Sequence, residues 1–481
     1  MLVLGRALQV FAGLLTIKAA TTILSPREWG SVNQVMSLAV LGASTLLAPV
    51  STYIGRGFLE WLDEGTLHRR LGSYVRLVLA ASLVLALAAW AIQAEAPLVS
   101  GVGPEWVGAL VALYVVGYSL HTLATSGLNM LGHRLAYVAF GNIAAWGGLA
   151  LAMYLSRGGG RPETWLLGLY GGFLLSTLAY LLLKHYVRKA FLFRSVASGE
   201  NVPFDGWTVF MFVWPQAVVF SLWWVQSQSY RFILDRLTDV AFVGLFAAAY
   251  MVCSVPMQTF ENLFNEFYSP TLYRALKNQG DLGIVQAWDA YASAYLPAVI
   301  LFGAFLAGNA TFLVKLLLGE RFQVVAPILI LPALTETMRA MSSSLYTLGV
   351  AKIDMTINLP PVLAGALVAP VLVYLLAPHD PLIGTGIALF VASAAVLGTV
   401  VPMSHRVLPV TWPRRRILAA LALGLPLGLM GHLMDTSLGE LTEGRALLAL
   451  ASSATVMVLL QYAVAKVWLR KAYPVLKGAV G

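Results

Sequence analysis

The chain repeats itself at about half its length. Ser126, Leu128, Leu131 and Gly132 recur as Ser343, Leu345, Leu348 and Gly349, at a constant offset of 217. Glu105 matches Glu320, and Gly65 matches Gly280, both at offset 215. In each copy a polar-tipped apolar helix is expected to end in a glycine turn and a basic residue, Arg134 or Lys352. The repeat is carried by an apolar background: 59% of residues are hydrophobic and 11% charged, against about 25% charged in a soluble domain. Such a chain cannot hide its apolar surface from water. A duplicated apolar chain reads as two homologous bundles in a bilayer, a common way to build a transporter around a midplane site.

A spanning helix needs about 20 apolar residues. Fourteen segments qualify, near 4–24, 32–55, 74–94, 106–127, 135–155, 164–184, 207–230, 240–263, 286–308, 323–345, 355–376, 383–404, 416–434 and 445–465. The connections are short, the longest lying around 185–206 and 264–285. With the N-terminus placed in the cytoplasm, 21 of the 31 Lys and Arg fall on the cytoplasmic side and 8 on the other, while Lys18 and Arg339 lie within spans. That bias puts both termini in the cytoplasm. The first segment, MLVLGRALQVF, lacks a cleavage pattern and reads as a retained helix. The single cysteine, Cys253, excludes an internal disulfide. The basic residues are scattered over short loops, which argues against nucleic-acid binding.

The expected fold is an all-α polytopic membrane protein of about 14 transmembrane helices. Residues 1–190 form an N-terminal six-helix bundle, 191–206 a cytoplasmic linker, and 207–410 a C-terminal six-helix bundle. Residues 411–481 add two further helices and a basic tail.

Several segments resemble the polysaccharide and oligosaccharide flippases (Wzx-type) of the multidrug/oligosaccharidyl-lipid/polysaccharide, or MOP, exporter superfamily. They are ILSPREWG (Ile23 to Gly30), FVGLFAAAY (Phe242 to Tyr250), SPTLYRALKNQGDL (Ser269 to Leu282), LLLGERF (Leu316 to Phe322), the Leu345 to Lys352 turn and PLIGTGIAL (Pro381 to Leu389). In the last, Thr385 and Ile387 stand where the family more often has a Gly-Ala pattern. The resemblance runs over nearly the whole chain. It implies two pseudo-symmetric bundles in a V around a central cavity. It also implies alternating access for an undecaprenyl-diphosphate-linked oligosaccharide in a bacterial inner membrane. Membrane lipids, a polysaccharide polymerase and export machinery would be its partners, and no catalytic or metal site is expected.

A diphosphate crossing a low-dielectric core would be helped by cations facing a wet cavity, and charge inside a span is a functional hypothesis by default. Lys18 lies within the first span, about 10 Å from its end, so it either snorkels or faces the cavity. Arg231 ends the seventh span and either anchors at the interface, pairs with Asp235 or serves the cavity. Glu336 and Arg339 share a helix face three residues apart. They either neutralise each other or hold an Arg ready for phosphate, with Glu336 as partner or as carrier of a coupling ion, H+ or Na+. His121, in the repeat counterpart of that helix, reads as a hydrogen-bonding residue or a cavity residue. Trp223, Trp224 and Gln226 offer aromatic faces and an amide suited to sugar rings. Asn142 and Asn358 are repeat counterparts at offset 216, and Pro360-Pro361 should break or kink the helix after Asn358. Glu261, Asn262, Asn265 and Glu266 are expected at a solvated helix end or gate.

Two other classes compete. A cation-coupled multidrug exporter would need unpaired intramembrane carboxylates, which the sequence does not offer. An enzyme or nucleotide-driven pump would need a catalytic loop or a phosphate-binding G-x-x-x-x-G-K-[ST] segment, and the chain has neither.

Overall fold

In a computed structural model, residues 2–186, 206–352, 358–437 and 450–462 are described, and every regular element among them is helical. Eleven helices are long and apolar enough to cross a membrane, or twelve if one bent pair counts as a single span. Two shorter apolar helices, Ala7–Ile23 and Leu450–Tyr462, accompany them. Of the expected linker at 191–206, residues 191–205 lie outside the described residues, and Gly206 begins a helix.

The chain divides into two compact units. The first is Met1–Trp224 with Asp239–Gly244, and the second is Val225–Thr238 with Leu245–Gly481. The division therefore falls inside a helix, Gly206–Gln228 (α8), between Trp224 and Val225.

The first unit holds α1 (Leu2–Ile23), α2 (Pro26–Gly42), α3 (Ala48–Asp63), α4 (Leu67–Glu95), α5 (Pro104–Met130), α6 (Arg134–Leu155), α7 (Pro162–Tyr186) and most of α8. α2 starts with a capping box: the Ser25 Oγ accepts from the Glu28 amide, and the Glu28 carboxylate accepts from the Ser25 amide. A π-helical turn, Ala43–Leu47, joins α2 to α3 just before Pro49. The wider turn absorbs a residue that has no amide hydrogen to offer. α5 ends in the expected glycine turn, with Gly132 at φ 77°.

α6 and α7 pack through small residues at four-residue spacing. A Cβ on Gly168 would lie 2.2 Å from the Ala152 nitrogen, and one on Gly172 would lie 2.4 Å from the Ala144 carbonyl oxygen. Ser176 continues the row by donating to the Phe140 carbonyl at 2.9 Å. Close backbone approach of this kind is how helices associate where lipid removes the hydrophobic drive.

A second close crossing joins two widely separated motifs. A Cβ on Gly30 would meet the Val240 carbonyl oxygen at 2.1 Å, and one on Gly244 would meet the Pro26 carbonyl oxygen at 1.9 Å. The contact is reciprocal: 26 and 240, like 30 and 244, lie 214 residues apart, close to the spacing of the internal repeat. Asp239 beside it accepts a hydrogen bond from Arg27.

The second unit holds α9 (Tyr230–Leu237), most of α10 (Val240–Gly308), α11 (Ala310–Leu317), a 3-10 segment (Glu320–Ile328), α12 (Ile330–Lys352), α13 (Leu359–Leu376), α14 (Pro381–Val407), α15 (Arg414–Ser437) and α16 (Leu450–Tyr462). The long loop expected around 264–285 is absent: α10 is helical throughout its 69 residues. It nevertheless doubles back. Phe260 stacks on Phe302 with centroids 4.9 Å apart, Phe264 meets Tyr295 at 5.4 Å and Tyr268 meets Tyr291 at 4.7 Å. Residues 260 and 302 would be about 60 Å apart in a straight helix, so the two ends run antiparallel and the reversal lies between 268 and 291.

Three further expectations are corrected. The segment 323–345 is not one straight helix, because the 3-10 stretch meets α12 at a 65° bend. Pro327 and Pro332, neither of which can donate to an α-helical ladder, flank that bend. The second copy of the glycine turn does not form, since α12 runs through Gly349 to Lys352. Pro360-Pro361 do not kink a helix but begin one, with Asn358 at the cap of α13, where missing amide hydrogens cost nothing.

The last two helices are integrated into this unit. A Cβ on Gly308 would lie 2.5 Å from the Gly428 carbonyl of α15, and Asn309, fully buried, donates to the Ser453 Oγ of α16 at 2.9 Å.

Replacing Gly168 by Val forces α6 and α7 apart and is expected to cost about 3 kcal/mol or more. Gly72→Ala, where a Cβ meets nothing within 4 Å, should change stability by about 1 kcal/mol at most, in the stabilising direction. Thermal unfolding of the two purified variants in detergent measures both effects.

Candidate functional site

α12 has two faces. Glu336, Arg339 and Ser343 recur at helical spacing on one side, and Leu334, Thr337, Met338 and Met341 lie on the other. The polar face meets the first half of α10. The Arg339 Nε donates to a Glu336 carboxylate oxygen at 2.9 Å, and its Nη2 donates to a Glu261 oxygen at 3.0 Å. The second oxygen of Glu336 accepts from the Tyr250 hydroxyl, and the second oxygen of Glu261 accepts from the Ser343 hydroxyl. All four carboxylate oxygens thus have donors. Glu336 is fully buried, and the Arg339 side chain keeps 22% of its surface exposed. With both carboxylates ionised, the trio carries one excess negative charge.

Several side chains lock this arrangement. The Tyr295 hydroxyl and the Trp288 indole N–H, both from the returning half of α10, donate to the Ala340 and Ser344 carbonyls at 3.1 Å. α12 is therefore gripped by both halves of α10. On its apolar side lies a cavity of about 800 Å3 among α10, α11, α12, α14 and α15, lined almost wholly by apolar side chains, with Thr311, Thr337 and His432 as exceptions.

An aromatic row extends the network toward α9. Tyr250 faces Phe246 at 6.3 Å, and Phe246 meets Tyr230 edge-on at 5.3 Å. Arg231, buried, donates from Nε to the Tyr230 hydroxyl at 3.2 Å. Arg231 is accordingly buried within the second unit, at the second position of α9.

The other expected site residues are distributed as follows. Glu336, Arg339, Arg231, Gln226 and Asn358 belong to the second unit, and Lys18, His121, Asn142, Trp223 and Trp224 to the first. Lys18 is half-buried on α1. His121 is held by the Ser176 hydroxyl at 2.9 Å, the same hydroxyl that bonds to the Phe140 carbonyl, so it ties α5 to α7 and α6. Asn142 donates to the Gly5 and Val138 carbonyls and ties α6 to α1. The Trp224 indole donates to the Ser37 carbonyl of α2 at 2.7 Å, and Gln226 packs beside Gly365 of α13. Asn358 is buried at the start of α13.

Glu261 is the residue that sequence reasoning misplaced. It is not a solvated helix end but 6% exposed, salt-bridged to Arg339. Asn265 accepts from the Tyr291 hydroxyl in the turn-ward part of the same hairpin, Asn262 is exposed, and the Glu266 side chain lies outside the described residues. The one available signal for Glu261 was its position in an apolar span, opposite in sign to Arg339. Among the described residues no cluster of three or more His, Cys, Asp or Glu could hold a metal ion.

The architecture is a known one. No protein-family model and no curated protein sequence matches the chain. Among solved structures, the lipid II flippase MurJ in an inward closed conformation superposes with a TM-score of 0.68 at 12% identity, covering 98% of this chain and 99% of that one. An inward-facing MATE-family multidrug transporter of the MOP superfamily gives 0.57 at 12% identity, covering 84% and 95%. A eukaryotic MATE transporter gives 0.53 at 14% identity, covering 88% and 95%. These likenesses show that the chain shares the fold of these transporters, and its apolar helices make it a multi-pass membrane protein.

Removing the central guanidinium should expose the electrostatics of the network. Arg339→Gln leaves two buried carboxylates without counter-charge, and breaking a buried pair in this way costs about 3–5 kcal/mol. The triple variant Glu261→Gln, Glu336→Gln, Arg339→Gln is expected to recover most of that loss. Thermal unfolding in detergent decides: a triple variant as unstable as the single one would show that shape, not charge, holds α12.

Proposed function

We propose that this chain is a Wzx-type flippase. It moves an undecaprenyl-diphosphate-linked oligosaccharide, the repeat unit of an O-antigen, capsule or exopolysaccharide, from the cytoplasmic to the periplasmic leaflet of a bacterial inner membrane. The movement is alternating access of two bundles, with both termini in the cytoplasm and no chemical step. A polysaccharide polymerase and export machinery consume the product.

The observation that carries this reading is the extent of the fold likeness. The lipid II flippase matches across 98% of the chain, including its last helices, whereas the two MATE transporters match 84% and 88%. The apolar cavity beside α12 and α15 supports it as well, since a lipid-linked cargo needs apolar surface that a small cationic drug does not. Lys18 serves the diphosphate in this reading. Arg339 is committed to two carboxylates, so its role is to set the charge of the network rather than to grip phosphate.

The excess negative charge at Glu261, Arg339 and Glu336 favours ion coupling, by H+ or Na+, because one bound cation would neutralise the trio. The same feature keeps a second reading in play, a cation-coupled small-molecule exporter of the same fold.

A strain lacking the gene is expected to accumulate lipid-linked oligosaccharide on the cytoplasmic leaflet, reversed by the intact gene and measurable by lipid extraction. Lys18→Gln should restore export at least tenfold less well at equal protein level in the membrane. An unchanged surface glycan with no trapped lipid would instead favour the small-molecule exporter.

A further inference from the structure

Three helices of the first unit begin with the same chemistry. α2 opens Pro26-Arg27-Glu28-Trp29, α5 opens Pro104-Glu105-Trp106, and α7 opens Pro162-Glu163-Thr164-Trp165. Proline fits the first helical turn, and a carboxylate there complements the helix dipole. The three tryptophans do not share a fate. Trp29 and Trp165 are buried at 1% and 0% exposure, while Trp106 is 42% exposed.

All three helix starts border one cleft of about 460 Å3. Arg27, Glu28, Ser31, Trp106, Arg161 and Glu163 line it. Two of its charges are engaged: Arg27 donates to Asp239, and Glu28 accepts from the Ser25 amide. Arg161 and Glu163 are not. Neither side chain has a hydrogen-bond or ion-pair partner among the described residues. The cleft therefore presents a bare guanidinium, a bare carboxylate, and the exposed indole of Trp106, which stands one position earlier in its helix than Trp29 and Trp165 do in theirs.

Those groups are complementary to a sugar. A pyranose offers vicinal hydroxyls that both donate and accept, which an adjacent guanidinium and carboxylate satisfy together. Its apolar C–H face suits an aromatic plane. The volume falls within the roughly 300–1,000 Å3 of small-molecule sites. A pure phosphate site would not place a free carboxylate beside the cation, and an apolar ligand would not need either charge.

We infer that this cleft is a glycan-binding site for a pyranose of the translocated oligosaccharide. The assignment rests on the flippase reading. Under that reading, the loops between α1 and α2, α4 and α5, and α6 and α7 face the periplasm, so the cleft holds the sugar end of the cargo after it has crossed. Trp106 supplies the platform, and Arg161 and Glu163 hold hydroxyls.

The test uses the purified full-length protein in nanodiscs with three probes: methyl glucopyranoside, glucuronate and inorganic diphosphate. Saturation-transfer NMR is expected to show at least one of the two sugars in contact. Trp106→Ala and Arg161→Gln should each weaken its affinity at least fivefold, with Trp106→Phe retaining most of it. Trp106 is exposed, so thermal unfolding should be unchanged in these variants. Diphosphate binding that depends on Arg161 but not Trp106, without sugar binding, would overturn the assignment in favour of a phosphate site. Sugar binding unaffected by either substitution, or none at all, would overturn it outright. The two readings fail separately: trapped lipid-linked glycan in the deletion strain with full export by Trp106→Ala and Arg161→Gln sinks the cleft alone. Trp106-dependent sugar binding with no trapped lipid sinks the flippase reading and leaves a sugar site on a different transporter.

Discussion

One guanidinium held between two carboxylates organises the second half of this protein. Glu336 has no exposed surface, and an ionised carboxylate without partners would be prohibitive there. Its two oxygens are met by Arg339 and Tyr250, and Arg339 reaches on to Glu261. Because Tyr250 and Glu261 lie in one half of α10 while Tyr295 and Trp288 lie in the other, α12 can be seated only if α10 folds back on itself. The hairpin and the network require each other. The cost of the buried charges is offset by specificity of register: a shift of α12 by one residue would leave carboxylates facing apolar side chains.

That register also separates two environments across a single helix. One side of α12 is polar and fully hydrogen-bonded, and the other borders an apolar cavity of about 800 Å3. The helix that holds the charges is thus the helix that walls the apolar space, and movement of one is movement of the other.

Sequence reading recovered what depends on local pattern and missed what depends on reversal. The i, i+3 pairing of Glu336 and Arg339 was legible, as was the apolar length of the spans. Glu261 was not, because its partner lies on another helix and its own span end looked solvated. The helical turn in α10 was hidden too: a polar stretch between two apolar spans reads as a loop, and nothing local says that its backbone stays helical. Pro360-Pro361 were read as a break within a span and are instead a start, and the prolines flanking the 65° bend before α12 were not singled out. Three of the polar residues inside spans, His121, Asn142 and Trp224, hydrogen-bond neighbouring helices, a use of polar groups whose partners lie on another helix and are therefore not written in local sequence.

The crossing at Gly30 and Gly244 bears on how such a chain diverges. It is made by two missing side chains against two backbone carbonyls, so it asks little of the side chains around it. A joint of this kind leaves almost no letters for comparison to align. Neighbouring side chains can be exchanged widely while the two helices still cross at the same point, so the joint outlasts the letters around it.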